Sequence, residues 1–421
     1  MIEITAELQN GSRKSSTVEE ACAVSLRFLG NNSDDTPKDS LDRYPEKSCG
    51  FDWFRIGDFN DVAFEECVGL TNVPFEPDMD MLNALQRTYK TLEGVYWRKG
   101  YQGKKMPYIV PVLSIGKGEK ASFNILRDGK QSGDIFVESD LEDPSVYEFS
   151  ETITAGELDY YIACLKTQDK VSLLKFYSDE SKEEQCGELI IIPKSPLYRK
   201  DVKVVFYVVG LVNDSMDRIY DDMPTVLGPV IGENTLKYLD CSFSQAIVNI
   251  QSEKKEYKLN VHKEEIDCYY TKDKKDLDIL KIEEILSLLE TKEKASYSSL
   301  QEDCVKVYLM YDIPFRNKEG KNPQAFSVKG RNAIFCHNGV SPSTLVHEMG
   351  HALGLPHTFD YAANRIGRNI DNSIYFYYEE KKTDNFMDYY VNIDKRIANP
   401  RSLFYYWQWK VMNEKLRNIT F

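Results

Sequence analysis

The sequence predicts a multidomain α+β protein, with a β-rich N-terminal half followed by a domain that combines a twisted mixed sheet with two principal helices. A chain of 421 residues is long enough for two or three domains. Between residues 104 and 194, short apolar or alternating runs recur at a spacing of roughly ten residues. The segments with a strong helical period lie in the second half. These observations define the fold class.

Residues 1–100 predict an N-terminal module that is rich in β-structure. The polar stretch NNSDDTPKDS at 31–40 is typical of a loop. The aromatic word GFDWFRIGDF follows at 50–59, and its Trp53 and Phe54 are either a binding surface or core residues. Large aromatic residues are more often buried, which favours the core.

Residues 101–198 predict a β-sandwich of immunoglobulin-like type. Turn-forming Gly, Asp, Ser or Lys clusters separate the apolar runs, and this regular spacing is typical of such sandwiches. The seven runs are PYIVPVLSI, ASFNIL, DIFVES, YEFSE, YYIACL, SLLKFYS and GELIIIP. The segment SPLYRKD at 195–201 predicts a linker to the next domain.

Residues 199–421 are predicted to form the α+β domain. Four apolar segments favour strands, and four segments with helical spacing favour helices. The strands are VKVVFYVVGL, EYKLNVH, CVKVYLMYDIP and NAIFCHN, and the helices are NTLKYLDCSFSQAIVNI, KDLDILKIEEILSLLETKEK, SPSTLVHEMGHALG and NPRSLFYYWQWKVMNEKLRNI. Ser341 or Ser343 can cap the third of these helices.

HEMGHALGLPH, residues 347–357, carries three of the five histidines. On a helix, His347 and His351 lie one turn apart and project from the same face. Glu348 is turned about 100 degrees around the axis, so its carboxylate flanks a shared ion without joining it. Gly354 can end the helix in a left-handed conformation. His357 then lies where the returning chain offers a third nitrogen.

Three neutral imidazoles leave one position of a tetrahedral zinc ion open. An open position is the mark of a catalytic rather than a structural zinc site, because it admits water, whose pKa the metal lowers to about 7. The sequence therefore predicts a Zn²⁺ site with His347, His351 and His357 as ligands. Glu348 is the predicted general base that takes a proton from the water.

The extended H-E-x-x-H-x-x-G-x-x-H pattern resembles the signature of metzincin zinc peptidases, in which a methionine-containing turn follows downstream. TDNFMDYY at 383–390 places Met387 thirty residues after His357. The words HTF and NFMDY, together with Gln408 and Met412, look most like pappalysins. The resemblance is clear over roughly the last 85 residues, extends loosely over residues 200–421, and does not reach residues 1–200. The sequence departs from the pappalysin pattern because its last cysteine is Cys336 and no D-x-D-x-D-G calcium loop occurs.

The resemblance implies a zinc endopeptidase that acts on protein or peptide substrates. It implies that Met387 forms an apolar floor below the ligands. It implies that Tyr389 ligates the metal or stabilises an oxyanion near it. The alternative from the sequence itself is a packed aromatic in a Tyr-rich tail. The strand NAIFCHN, 332–338, is predicted to be an edge that pairs with an extended substrate. His337 on this strand is predicted to be a surface residue rather than a ligand.

The net charge of −14 is unevenly distributed along the chain. Residues 201–421 hold 32 acidic and 29 basic side chains, so residues 1–200 carry most of the excess of acidic residues. Such an acidic half argues against nucleic acid and anionic lipid as partners. No apolar run approaches 18 residues, so membrane insertion is not expected. The start MIEITAELQNGSRKSS shows no secretory signal, and nine cysteines without C-x-x-C pairs favour synthesis in a reducing cytoplasm.

Three alternatives remain open for the acidic half and for the site. Residues 1–200 can act as a latency device, with Cys49 in KSCGFD as a switch thiolate on the metal. They can instead be an adaptor for secretion machinery or a target protein, which would make the chain an exported effector or toxin. The last alternative is a zinc-stabilised binding protein without catalysis, against which the presence of Glu348 argues.

Overall fold

The coordinates of this protein come from a computed structural model, and they show a mixed α and β architecture. They describe residues 24–28, 49–56, 63–72, 75–97, 106–127, 133–212, 232–273, 276–297, 304–310, 313–317, 319–337, 339–359, 376–383, 385–389 and 403–418. The loop predicted at 31–40 lies outside these ranges.

Two sheets form the sandwich in the N-terminal half, one of four strands and one of six. The strands are β1 Val24–Phe28, β2 Gly50–Asp52, β3 Gly69–Asn72, β4 Phe75–Pro77, β5 Thr91–Trp97, β6 Met106–Ile109, β7 Val112–Ile115, β8 Lys120–Arg127, β9 Ile135–Ser139, β10 Tyr147–Phe149, β11 Thr152–Ile153, β12 Asp159–Cys164, β13 Ser172–Tyr177 and β14 Gln185–Pro193. The sheets have the orders β1-β8-β12-β10 and β11-β9-β13-β14-β7-β2. The other elements of this half are two hairpins, β3–β4 and β5–β6, and the helices α1 (Phe64–Cys67) and α2 (Met79–Gln86).

Each of the seven predicted runs contains a strand, because alternating residues turn one side to the inside of the sandwich. In β12 every second residue is buried, among them Tyr160 and Ile162. They meet Leu174 and Phe176 of β13 in the core between the two sheets. Most sandwich pairs are antiparallel, but β7 and β14 pair in parallel. The immunoglobulin-like topology stays a prediction.

A five-stranded sheet is the centre of the C-terminal half. Its order is β16-β15-β18-β21-β20, parallel except for the antiparallel pair β20–β21. The strands of this half are β15 Lys200–Val212, β16 Val248–His262, β17 Leu277–Asp278, β18 Val305–Met310, β19 Phe315–Arg316, β20 Ala325–Ser327 and β21 Ala333–His337. The helices are α3 Glu233–Gln245, α4 Lys263–Ile266, α5 Ile282–Ser296, α6 Pro342–Ala352 and α7 Tyr406–Asn418.

Both faces of this sheet are covered, which explains the continuous apolar run in β15. Because side chains of a strand alternate between faces, Val204 and Phe206 pack on the side of α3 and α6. Val205 and Tyr207 pack on the side of α5, in the same buried cluster as its Leu286. The sheet is therefore the middle layer between α5 on one side and α3 and α6 on the other, and α6 carries His347 and His351.

The helix predicted over 234–250 ends earlier than its pattern suggested. It stops at Gln245, and the last residues of the predicted segment begin β16 at Val248. The turn between them places Ile247 at a positive φ of 61°. Pairing with β15 next to Val248 outweighs the local helical spacing, because the β-branched residues of this segment fit a pleated sheet.

The core on the histidine side of the sheet is shared by residues far apart in the chain. Phe64, Tyr89 and Tyr108 belong to the same buried cluster as Val204 and Phe206. Phe54 belongs to this cluster and Trp53 to the core of the sandwich, so the prediction that both are core residues is confirmed. The predicted domain boundaries stay predictions, and this shared core extends across both of them.

Within the part of the chain that the structure describes, no helix is both long and apolar enough to cross a membrane.

Candidate metal centre

The centre is built on α6, whose two ends are defined by side chains and backbone. Ser341, rather than Ser343, caps the helix, because its Oγ accepts the N–H of Thr344 at 3.2 Å. At the other end Gly354 adopts φ +93°, which a residue with a Cβ rarely does. The N–H of Leu355 donates to the carbonyl of Gly350 at 2.9 Å, so the chain turns back over the last turn.

This turn brings the three histidines together. His347 and His351 project from α6, and their ring centroids are 4.7 Å apart. His357 comes from the returning chain, and its Nε2 lies 3.1 Å from the Nε2 of each of the other two. Among the described residues this is the one group of three potential ligands close enough to hold a metal ion.

Two carbonyl groups determine which nitrogen each helical histidine presents. The Nδ1–H of His347 donates to the carbonyl of Phe386 at 2.6 Å. The Nδ1–H of His351 donates to the carbonyl of Leu355 at 2.7 Å. In the neutral ring the Nε2 lone pair therefore points to the common centre. Hydrogen bonds of this kind fix the tautomer and orientation of metal-binding histidines.

His357 is held in its neutral form by its surroundings. Burial, and to a smaller extent the neighbouring His351, lowers the pKa of His357 from 6.5 to about 3. A neutral imidazole is the form that binds a metal.

The geometry of the cluster fits a metal ion. Metal–nitrogen bonds of about 2.0 to 2.1 Å in a tetrahedral arrangement place two ligand nitrogens about 3.3 Å apart. The observed separations of 3.1 Å are close to this value. Three neutral imidazoles with converging Nε2 atoms suit zinc, although copper and nickel also accept imidazole ligands. The three histidines can therefore hold a metal ion, and the donor set leaves the choice among these metals open.

Glu348 lies beside the histidines and is held by the sheet. It is 8% exposed, and its Oε2 accepts the backbone N–H of Ser327 at 2.7 Å. Ser327 belongs to β20, which ends the five-stranded sheet as far as the chain is described. This order corrects the expectation for NAIFCHN, because β21 is paired on both sides and β20 is the edge. Strand order depends on long-range pairing, which local pattern does not contain.

The methionine turn packs against α6. Met387 is fully buried, and a Cβ at Gly350 would clash with its Sδ. The N–H of Thr358 donates to the Met387 carbonyl at 3.1 Å, which joins the turn to the segment after His357. Asp388 accepts four donors within the turn, from Lys381, Thr383 and Tyr389. Burial raises the pKa of Asp388 to about 6, although these hydrogen bonds act in the opposite direction.

Two aromatic side chains line the side of the centre formed by His357. The ring of Tyr389 lies 4.8 Å from that of His357 and 5.9 Å from that of His347, measured between centroids. Its exposure of 43% sets it apart from core aromatics. Phe359 stacks on His357 at 4.8 Å and contacts Tyr389 at 4.6 Å. Phe359 belongs to the word HTF, which resembles pappalysins, but the sequence predicted no role at the site for Phe359 or for Ser327.

Two other residues considered from the sequence lie elsewhere. Cys49 is buried in the sandwich core, and its Sγ donates to Glu119 at 3.6 Å. His337 is half-buried on β21. Neither belongs to the three-histidine group. In this structure Cys49 is therefore not a fourth ligand.

No protein-family model matches this sequence, and no curated protein matches it.

Proposed function

We propose that this protein is a zinc-dependent endopeptidase. The observation that carries the proposal is the convergence of the Nε2 atoms of His347, His351 and His357 with the Glu348 carboxylate on the same helix. A purely structural metal site would need a fourth protein ligand and would have no use for this carboxylate. The resemblance of the histidine motif and of NFMDY to metzincin peptidases, pappalysins in particular, supports the same function.

The three histidines would hold the zinc ion through Nε2. Bound zinc supplies Lewis acidity, which lowers the pKa of water to about 7 and polarises a carbonyl oxygen. Glu348 takes the proton of the attacking water and later delivers it to the departing amine nitrogen. The backbone N–H of Ser327 keeps the Glu348 carboxylate in place at 2.7 Å. Tyr389, at the rim of the cluster, offers its phenol as a hydrogen-bond donor to developing negative charge.

The substrate is an extended polypeptide that adds to the sheet along β20. An edge strand offers backbone N–H and C=O groups to a peptide, and β20 lies next to the proposed general base. This arrangement brings a peptide bond to Glu348 without requiring a particular side chain.

The experiment compares wild type with Glu348→Ala and His351→Ala for bound zinc and for cleavage of a denatured protein mixture. We expect zinc in wild type and Glu348→Ala, cleavage in wild type only, and neither in His351→Ala. Glu284→Ala, which removes an exposed glutamate of α5, is the matched control and should cleave like wild type.

Cleavage retained by Glu348→Ala would contradict the proposed mechanism. Zinc bound with no cleavage by wild type would instead favour a binding protein or latency imposed by residues 1–200. An adaptor for export and a device for latency remain proposals for residues 1–200. This comparison measures zinc and cleavage in the full chain and does not distinguish these two roles.

A further inference from the structure

The strongest unassigned feature near the centre is a buried pair of amides that joins the last helix to the methionine turn. Gln408 of α7 and Asn385 of the turn are fully buried. The Nδ2 of Asn385 donates to the Oε1 of Gln408 at 2.6 Å, and the Nε2 of Gln408 donates to the Oδ1 of Asn385 at 3.1 Å. Two hydrogen bonds in opposite directions fix both side chains in one orientation.

Gln408 is itself anchored to the start of its helix. Its Oε1 also accepts the backbone N–H of Tyr405 at 2.8 Å. Tyr405 precedes the first residue of α7, and Gln408 is the third residue of that helix. A glutamine at this position commonly reaches back to the N-cap N–H. The amide of Gln408 is therefore a fixed point of α7, and Asn385 is held against it.

Asn385 in turn holds the peptide group between Phe386 and Met387. Its Oδ1 accepts the N–H of Met387 at 2.9 Å. The carbonyl of Phe386, at the other end of the same peptide group, accepts the Nδ1–H of His347 at 2.6 Å. Because a peptide group is planar and rigid, fixing its N–H also fixes the direction of its carbonyl. The carbonyl direction decides how the ring of His347 is turned.

We infer that Gln408 and Asn385 are positioning residues that orient the imidazole of His347 through the peptide group between Phe386 and Met387. Neither amide touches the centre, so the action is entirely through this peptide. The inference rests on the metal binding proposed above. Partners of metal-bound histidines typically change metal affinity by 10 to 100-fold when they are lost.

The test replaces Gln408 by methionine, which keeps the length of the side chain but removes its two hydrogen bonds with Asn385 and the one from the N–H of Tyr405. We expect Gln408→Met to bind zinc about tenfold more weakly in competition with a chelator. The visible absorption bands of the Co²⁺-loaded protein should shift as well, because they report the geometry of the ligands. Gln408→Asn, a milder change that keeps an amide, should fall between wild type and Gln408→Met.

The matched control is Asn413→Leu, another replacement of an amide by an apolar group on the same helix. Asn413 donates to the carbonyls of Ala246 and Trp409, away from the methionine turn. This variant should lower the unfolding temperature of the metal-free protein without changing zinc affinity or the Co²⁺ spectrum. It distinguishes a general loss of α7 stability from loss of the contact between Gln408 and Asn385.

Each result decides the question. Unchanged zinc affinity and an unchanged Co²⁺ spectrum in both Gln408 variants would overturn the inference while leaving the proposed function intact. Equal loss of affinity in Gln408→Met and Asn413→Leu would also overturn it, since helix stability alone would then explain the effect. Wild type that binds neither metal would overturn the proposed function and this inference together. If Gln408→Met does not fold, Gln408→Asn provides the same comparison.

Discussion

Gly350, between the two histidines of α6, shows how tightly the methionine turn approaches the centre. Glycine in a helix interior costs about 1 kcal/mol relative to alanine. A methyl group at this position would nevertheless be crowded, because the Sδ of the fully buried Met387 lies too close to where the Cβ would be and would have to shift. Crowding of this kind in a packed core typically costs about 1 to 3 kcal/mol. The crowding outweighs the gain in helix propensity.

We therefore predict that Gly350→Ala destabilises the protein by up to about 2 kcal/mol, which is the crowding cost of about 1 to 3 kcal/mol less the helix gain of about 1 kcal/mol. Chemical denaturation of the metal-free protein measures the change. In a double-mutant cycle with Met387→Ala, the two changes should be less damaging together than the sum of each alone, because the shorter side chain leaves room. A stabilising Gly350→Ala would show that Met387 moves aside freely.

The start of α7 is capped by a residue that lies more than 350 positions earlier in the chain. Asp52 of β2 accepts the backbone N–H of Tyr406 at 2.6 Å and also the hydroxyl of Tyr89. A carboxylate at a helix N-terminus is favoured by the helix dipole. The same carboxylate forms a buried ion pair with Arg55, whose guanidinium lies 4.6 Å from the ring centre of Tyr405. The segment around β2 and the first turn of α7 are thus one structural unit.

We predict that Asp52→Asn destabilises the protein by about 3 to 5 kcal/mol, because it leaves a buried guanidinium without its carboxylate. Thermal or urea unfolding measures the loss. The same substitution at Asp143, which pairs with Lys166 on the exposed surface, is the control and should change stability little. An equal effect of the two substitutions would argue against the structural role of the buried pair.

At the scale of the whole molecule, the N-terminal half and the C-terminal half depend on a common core. Phe64, Tyr89 and Tyr108 pack in the same cluster as the sheet and helices of the C-terminal half. The Oγ of Ser114 donates to the carbonyl of Gln245 at 2.6 Å, and Lys194 contacts Ser244 at 3.0 Å. The sandwich and α3 are therefore held together by direct polar contacts as well.

We predict that a fragment of residues 199–421 does not unfold cooperatively, because removal of the N-terminal partners exposes the apolar face of the shared core to water. A fragment of residues 49–421 keeps those partners and should unfold in one cooperative transition. Near-ultraviolet circular dichroism during heating distinguishes the two. A cooperative transition in the shorter fragment would show that the C-terminal half is an independent domain.

Much of this molecule follows from local pattern. The spacing of HEMGHALGLPH determines a helix with two histidines on one face and a glycine at its end, because helical geometry and the freedom of glycine act within a few residues. The strands of the sandwich follow from alternation in the same way. The mixture of α and β structure is thus determined by the sequence through short-range physics.

Tertiary structure alone decided the rest. Three contacts join segments that no sequence pattern relates. Ser327 donates to Glu348, Asp52 of β2 accepts the N–H of Tyr406 in α7, and Asn385 pairs with Gln408. For the same reason, the prediction that NAIFCHN is the sheet edge was wrong, and Cys49 remained a candidate ligand until its place in the fold was known. Which strands pair, and which polar groups meet in the core, depends on packing across the whole chain, because each buried polar group must find its partner wherever the fold brings one.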